Sequence, residues 1–179
     1  ATFFIGRPLD HGEKIWEELV GSPPDVDQNQ PRENLRSQVG QYGGGHLDIR
    51  ISPLRVDFIL SPDPSKSAVC VAPVAEALEA IMQIVNRWFE AKLAPTTRVA
   101  FGAILFKPQK TVAESYETFG SLVPIVQLDY PRTREVMFRV NCPAISTVSG
   151  DQMELNRITT WTSVTMRGVD AASIMSAGQ

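Results

Sequence analysis

Two short stretches alternate between apolar and polar residues, the first strictly and the second up to its apolar end Phe58-Ile59-Leu60. Leu47-Asp48-Ile49-Arg50-Ile51 is one, and Arg55-Val56-Asp57-Phe58-Ile59-Leu60 follows it after a Ser52-Pro53 turn. Period-two alternation puts one set of side chains on each face of a strand, so the pair predicts a hairpin with a core face and a wetter face. A helical period replaces it from Pro73 to Leu93. Val74, Leu78, Ile81, Val85, Trp88 or Phe89, and Leu93 recur at steps of three and four, with Glu76, Glu79, Gln83, Asn86, Arg87 and Glu90 between them. This pattern predicts a long amphipathic helix, with Val74, Leu78, Ile81, Val85 and Phe89 as its buried face. Arg98 to Phe106 then runs apolar at nearly every position, which predicts a central strand covered on both sides.

The remaining elements are shorter. Asp10 and Glu13 form a capping-box pair ahead of Ile15, Trp16, Leu19 and Val20, and Thr111 and Glu114 form another ahead of Val112, Tyr116 and Phe119. Ala68 to Val71 reads as a third short strand. The strand-helix-strand step from Val69 through Val99 allows one parallel pair. Residues 21 to 45 contain three prolines, many Gln and Asn, and Gly43-Gly44-Gly45; they predict a long loop, with a helical turn or two at Arg32 to Gln38. Arg134 to Asn141 and Asn156 to Arg167 read as two final strands joined by an irregular loop. Together these elements predict an α+β domain: a mainly antiparallel sheet with two principal helices packed on one face. A single domain over 1 to 170 is expected, with the loop at 21 to 45 and a flexible tail at 171 to 179.

Composition adds boundaries. The 179 residues carry 17 basic and 20 acidic side chains, a net charge of -3, so there is no global basic excess and nucleic acid is not the expected partner. No run approaches the roughly 18 apolar residues of a membrane-crossing helix, and no basic segment followed by an apolar core marks a signal peptide. Cys70 and Cys142 are too few for a disulfide framework and are expected as buried or partly buried thiols. The reading is a cytoplasmic protein in a reducing compartment, with no membrane association.

Candidate chemistry is sparse. No phosphate-binding Gly-rich motif and no nucleophile elbow occurs, and the triple glycine leads into a strand rather than a helix. Asp25-Val26-Asp27 supplies two carboxylates, fewer oxygens than a hard cation needs. No cofactor and no metal are expected. His46 and Asp48, two apart on one strand, have the spacing of an acid-base pair, and Cys142 is a possible nucleophile. His11, beside Asp10, reads as a solvated or capping residue.

The final strands offer a different surface. Val136, Phe138 and Val140 are expected in the core. Met137 and Arg139, with Arg157 and Trp161 from the last strand, are expected to face outward, and Trp, Met and Arg are enriched at protein interfaces. Arg139, Arg157 and Trp161 are therefore the candidate binding residues. Two functions follow. The first is a non-catalytic binding or assembly protein that acts through its outer sheet face and the 21 to 45 loop, as a homo-oligomer (a homodimer) or with another protein. The alternative is a small hydrolase-type enzyme with a cleft near His46, Asp48 and Cys142.

Overall fold

A computed structural model of the chain describes residues 1–9, 14–66, 70–125, 127–129, 132–133, 135–148 and 151–164. Its elements are β1 (Thr2–Ile5), α1 (Ile15–Val20), β2 (Val26–Gln30), β3 (Leu35–Tyr42), β4 (Gly45–Ser52), β5 (Arg55–Ser61), α2 (Val74–Ala91), β6 (Thr96–Ala100), α3 (Val112–Leu122), β7 (Met137–Asn141), β8 (Ala144–Val148), β9 (Asp151–Leu155) and β10 (Ile158–Thr162). The chain divides into two compact units, the first ending at Phe106 and the second starting at Lys107.

The first unit is a six-stranded sheet in the order β2-β3-β4-β5-β1-β6, with every neighbouring pair antiparallel. The α+β class with a mainly antiparallel sheet is as expected. The β4–β5 hairpin is the one that alternation predicted, and it places Leu47, Ile49, Ile51, Val56 and Phe58 in the core. The parallel crossover is corrected, since β6 pairs β1 in the antiparallel sense. β1, which carries no long apolar signal, lies between β5 and β6 and contributes the fully buried Phe3.

α1 and α2 cover one face of this sheet. Ile15, Trp16 and Leu19 of α1 and Ile81, Ile84, Val85 and Trp88 of α2 join Phe3 and Phe58 in a single core cluster. The Trp88 ring centroid lies 5.3 Å from that of Phe3, which it meets at a tilt, and 5.7 Å from that of Phe58, which it meets edge to face. The expected α2 face is half right. Ile81 and Val85 are buried, but Val74, Leu78 and Phe89 are exposed, and Ala80, Ile84 and Trp88 complete the contact instead. The apolar arc of α2 is wider than the strip the sheet can cover, so its flank remains in solvent.

The 21 to 45 segment is not a loop. It contains β2 and β3, paired from Val26↔Val39 to Gln30↔Leu35; the helical turn or two expected at Arg32 to Gln38 is corrected, since the chain reverses in a tight turn and enters β3 at Leu35. The stretch from Arg98 is not a central strand either. β6 is an edge strand that ends at Ala100, and 101 to 109 form no regular element.

The second unit is smaller. α3 begins as its capping box predicts: the Thr111 hydroxyl accepts from the Glu114 N–H at 3.1 Å, while the Glu114 carboxylate reaches back to the Lys110 N–H. Tyr116 and Phe119 of α3 form a core with Val123 and Val136, and Leu128, Phe138 and Trp161 pack against it. β7 pairs β10, and the expected irregular loop between them contains the β8–β9 hairpin. The Asp10–Glu13 cap, Ala68 and Val69 of the expected third strand and the 171 to 179 tail fall outside the described residues, as does His11, while Cys70 and Val71 belong to no strand.

Candidate functional site

His46 and Asp48 share the solvent face of β4, as their spacing requires, but they do not form a pair. Asp48 accepts from the Ser37 hydroxyl at 2.8 Å and from Arg50 Nε at 2.7 Å. His46 turns to the neighbouring strand and to the chain after β5. Its Nε2 lies 2.7 Å from Gln41 Nε2 and 3.7 Å from Asp63 Oδ1. Gln41 stands directly opposite His46 across β3 and β4, so the ladder register creates this contact. An amide nitrogen can only donate, so a neutral His46 accepts at Nε2 and carries its proton on Nδ1.

Asp63 is the residue that sequence reading missed. Its setting, Asp63-Pro64-Ser65, signals no more than a turn, yet it is one of two buried polar side chains among the described residues, the other being Gln38. Its Oδ1 accepts from the Ser65 hydroxyl at 2.6 Å and the Ser65 N–H at 2.9 Å, and its Oδ2 accepts from Gln41 at 3.1 Å. The Ser65 hydroxyl, then the Ser65 N–H, hold this carboxyl far below the usual carboxylate range, against the opposing effect of burial. A carboxylate so saturated with donors is a weak base. It ties the turn after β5 to β3 and β4. The only signal in the sequence was the Asx-turn pattern itself, in which an Asp side chain bonds the backbone two residues on.

The rest of this sheet face is built of similar local pairs. Arg55 binds Asp57 at 2.9 Å, and Thr2 also donates to Asp57. The Phe4 ring lies between Arg55 and Arg98, whose guanidinium carbons stand 6.0 and 5.2 Å from its centroid. On the opposite face, Asp27 binds Arg36 at 2.7 Å and accepts from Gln38. Asp25 accepts from the Gln41 N–H. Both carboxylates of the Asp-x-Asp pattern are therefore committed to protein donors. Cys70 is half-buried and Cys142 is exposed, and both are free thiols. Cys142 belongs to the second unit, where its carbonyl accepts from Arg157 Nε at 3.2 Å.

The three candidate binding residues do not share one face. Trp161 stands opposite Phe138 in the β7–β10 ladder, and the two rings lie 5.9 Å apart against the α3 core. Arg139 pairs with Thr160, one residue out of phase, and so points to the other side with Met137 and Ile158. The expected outward set is corrected for Trp161. The apolar residues of β10 alternate weakly, and the register with β7 selects Trp161 for the core side.

Among the described residues no helix is long and apolar enough to cross a membrane. Comparison with protein-family models, curated proteins and solved structures finds no match to the chain.

Proposed function

We propose that the protein is a non-catalytic binding or assembly protein, with a second copy of itself as the first partner. One observation carries this reading: large apolar side chains are concentrated in solvent along 99 to 106, where Ile104 is 83% and Leu105 68% exposed. Contiguous apolar surface of this kind marks interaction sites far more often than idle surface. The carboxylates of the sheet face support the same reading. Asp48, Asp57 and Asp63 are each occupied by neighbouring donors that hold strands and turns together. In the second unit the exposed Arg139 and Arg157 stay as proposed partner contacts, while Trp161 supports the sheet from its packed side. The free thiols of Cys70 and Cys142 fit a reducing cytoplasm.

The test is the solution mass by light scattering over a series up to ~100 μM, well above the micromolar dissociation constants of modest specific contacts. A mass of twice the 19.7 kDa chain is expected. A single-chain mass throughout overturns self-assembly.

A further inference from the structure

The assembly reading leaves open which surface joins the copies, and the inference that follows rests on it. Two unpartnered features meet at one margin of the first unit. The first is the free edge of β6. This strand bonds β1 on one side and, among the described residues, nothing on the other. Val99 stands opposite Phe3 and therefore lies on the helix-covered face of the sheet, yet it is 45% exposed. The apolar run continues past the last β1 pair through Phe101, Ile104, Leu105 and Phe106. Arg98 is the one charge from 98 to 106, and the run has no Pro, so the edge lacks the devices that normally block strand addition.

The second feature is the exposed flank of α2. Leu78, Met82 and Phe89 follow one another at steps of four and seven, which places them in one stripe. Phe89 touches Phe3 with ring centroids 5.5 Å apart, so the stripe lies on the β1–β6 side of the helix. Helix flank and strand edge thus meet at Phe3, which touches Phe89 and stands opposite Val99, and there Phe89 is 49% and Val99 45% exposed.

We infer that β6 and its continuation to Phe106 pair in the antiparallel sense with the same segment of a second copy, about a two-fold axis through Gly102. The segment is complementary to itself in this register. Val99 falls opposite Leu105, Phe101 opposite Ala103, and Arg98 opposite Phe106. Apolar residues meet apolar residues throughout, and the guanidinium meets a phenyl ring as it already does at Phe4. An axis through a glycine removes side-chain crowding where the strands are centred, and a Cβ built on Gly102 finds nothing within 4 Å. A two-fold axis perpendicular to the sheet keeps both α2 helices on the same side, so their Leu78, Met82 and Phe89 stripes close over the joined edges. The contact satisfies the free backbone groups of the edge and covers the apolar corner in one operation. The opposite edge does not repeat it: β2 is Val-Asp-Gln-Asn-Gln, exposed at every position, so growth stops at two copies.

The experiment combines mass with a covalent trap. In the wild type the two-chain mass is expected, and Phe101→Asp should return it to the single-chain mass while far-UV circular dichroism stays unchanged. In a Cys70→Ser, Cys142→Ser background, Gly102→Cys should form an interchain disulfide under mild oxidation, because directly opposed antiparallel residues have Cα atoms about 4.5 to 5.5 Å apart, within disulfide reach. A wild type that stays single-chain overturns the assembly reading itself. A two-chain wild type whose mass survives Phe101→Asp, with no crosslink at Gly102→Cys, overturns only the β6 edge as its site.

Discussion

Gly40 on β3 lies directly beneath the indole of Trp16 on α1: a Cβ added to the glycine would sit 2.7 Å from Cζ2 and 3.0 Å from Cη2 of the ring. The reason is packing. Gly40 pairs with the buried Leu47 on the helix-covered face, and Trp16 needs an empty position there to reach the sheet. A polar bond fixes the same approach, because the Trp16 backbone N–H donates to Gln38 Oε1 at 3.1 Å, two residues earlier on β3.

Gly40→Ala should therefore destabilise the first unit by about 1–3 kcal/mol, the range for overpacking a filled core. The same change in a Trp16→Phe background should cost less, since the phenyl ring lacks the atoms that clash. Urea unfolding of the four proteins checks this; equal costs in the two backgrounds would show that the Trp16 contact is not the cause.

Gln38 links three elements. Its side chain accepts from Trp16 and donates to Asp27, which in turn binds Arg36. Gln38→Met keeps the bulk and leaves the buried Trp16 backbone N–H without its acceptor. A loss of about 1–3 kcal/mol is expected by chemical unfolding, the cost of an unsatisfied buried group.

The α2 correction is testable within one helix. Ile84→Ala removes a fully buried side chain and should cost about 2–5 kcal/mol. Val74→Ala, in the exposed first turn, should change stability by less than ~0.5 kcal/mol. The reverse order would mean the helix is rotated from the orientation described.

Acid should weaken the fold through two carboxyls. Asp27 is held below its ordinary value of 3.8 chiefly by its hydrogen bond from Arg36, and Asp63 lies further below chiefly through Ser65. A group whose folded pKa is depressed contributes stability that is complete above the unfolded value and disappears as pH falls through the folded one. The melting temperature should thus decline as pH drops below about 4. Asp63→Asn should lower it at neutral pH but flatten that decline. A decline equally steep in the variant would remove Asp63 from the acid response.

Trp161 reports on the second unit. Its indole packs with Phe138 against the α3 core while remaining partly exposed, so Trp161→Ala should cost about 1–3 kcal/mol, below the range for a fully buried ring. Solution mass should not change. Arg139→Ala, on the exposed side, should stay within ~0.5 kcal/mol. A loss of the two-chain mass in Trp161→Ala, with the fold intact, would return Trp161 to the interface.

Local pattern sufficed wherever one face of an element is buried and the other wet. The alternation of Leu47 to Ile51 and Arg55 to Phe58 identified β4 and β5, the three-and-four period identified α2, and the Thr111–Glu114 pair located the start of α3. The antiparallel α+β class followed from these. Tertiary structure decided what periodicity leaves open. β2 and β3 were invisible because strands rich in Gln, Asn and Arg carry no alternation, and backbone ladders with the Asp27–Arg36–Gln38 bonds hold them instead. The phase of α2 depended on how wide a strip the sheet covers, which left Leu78 and Phe89 outside. His46 met Gln41 and Asp63 rather than Asp48, because strand register and the turn after β5 set a side chain's neighbours, not its spacing along the chain. The run from Val99 to Phe106 announced burial by its apolar character, but a strand is buried only when another surface covers it, and no local pattern can supply that surface.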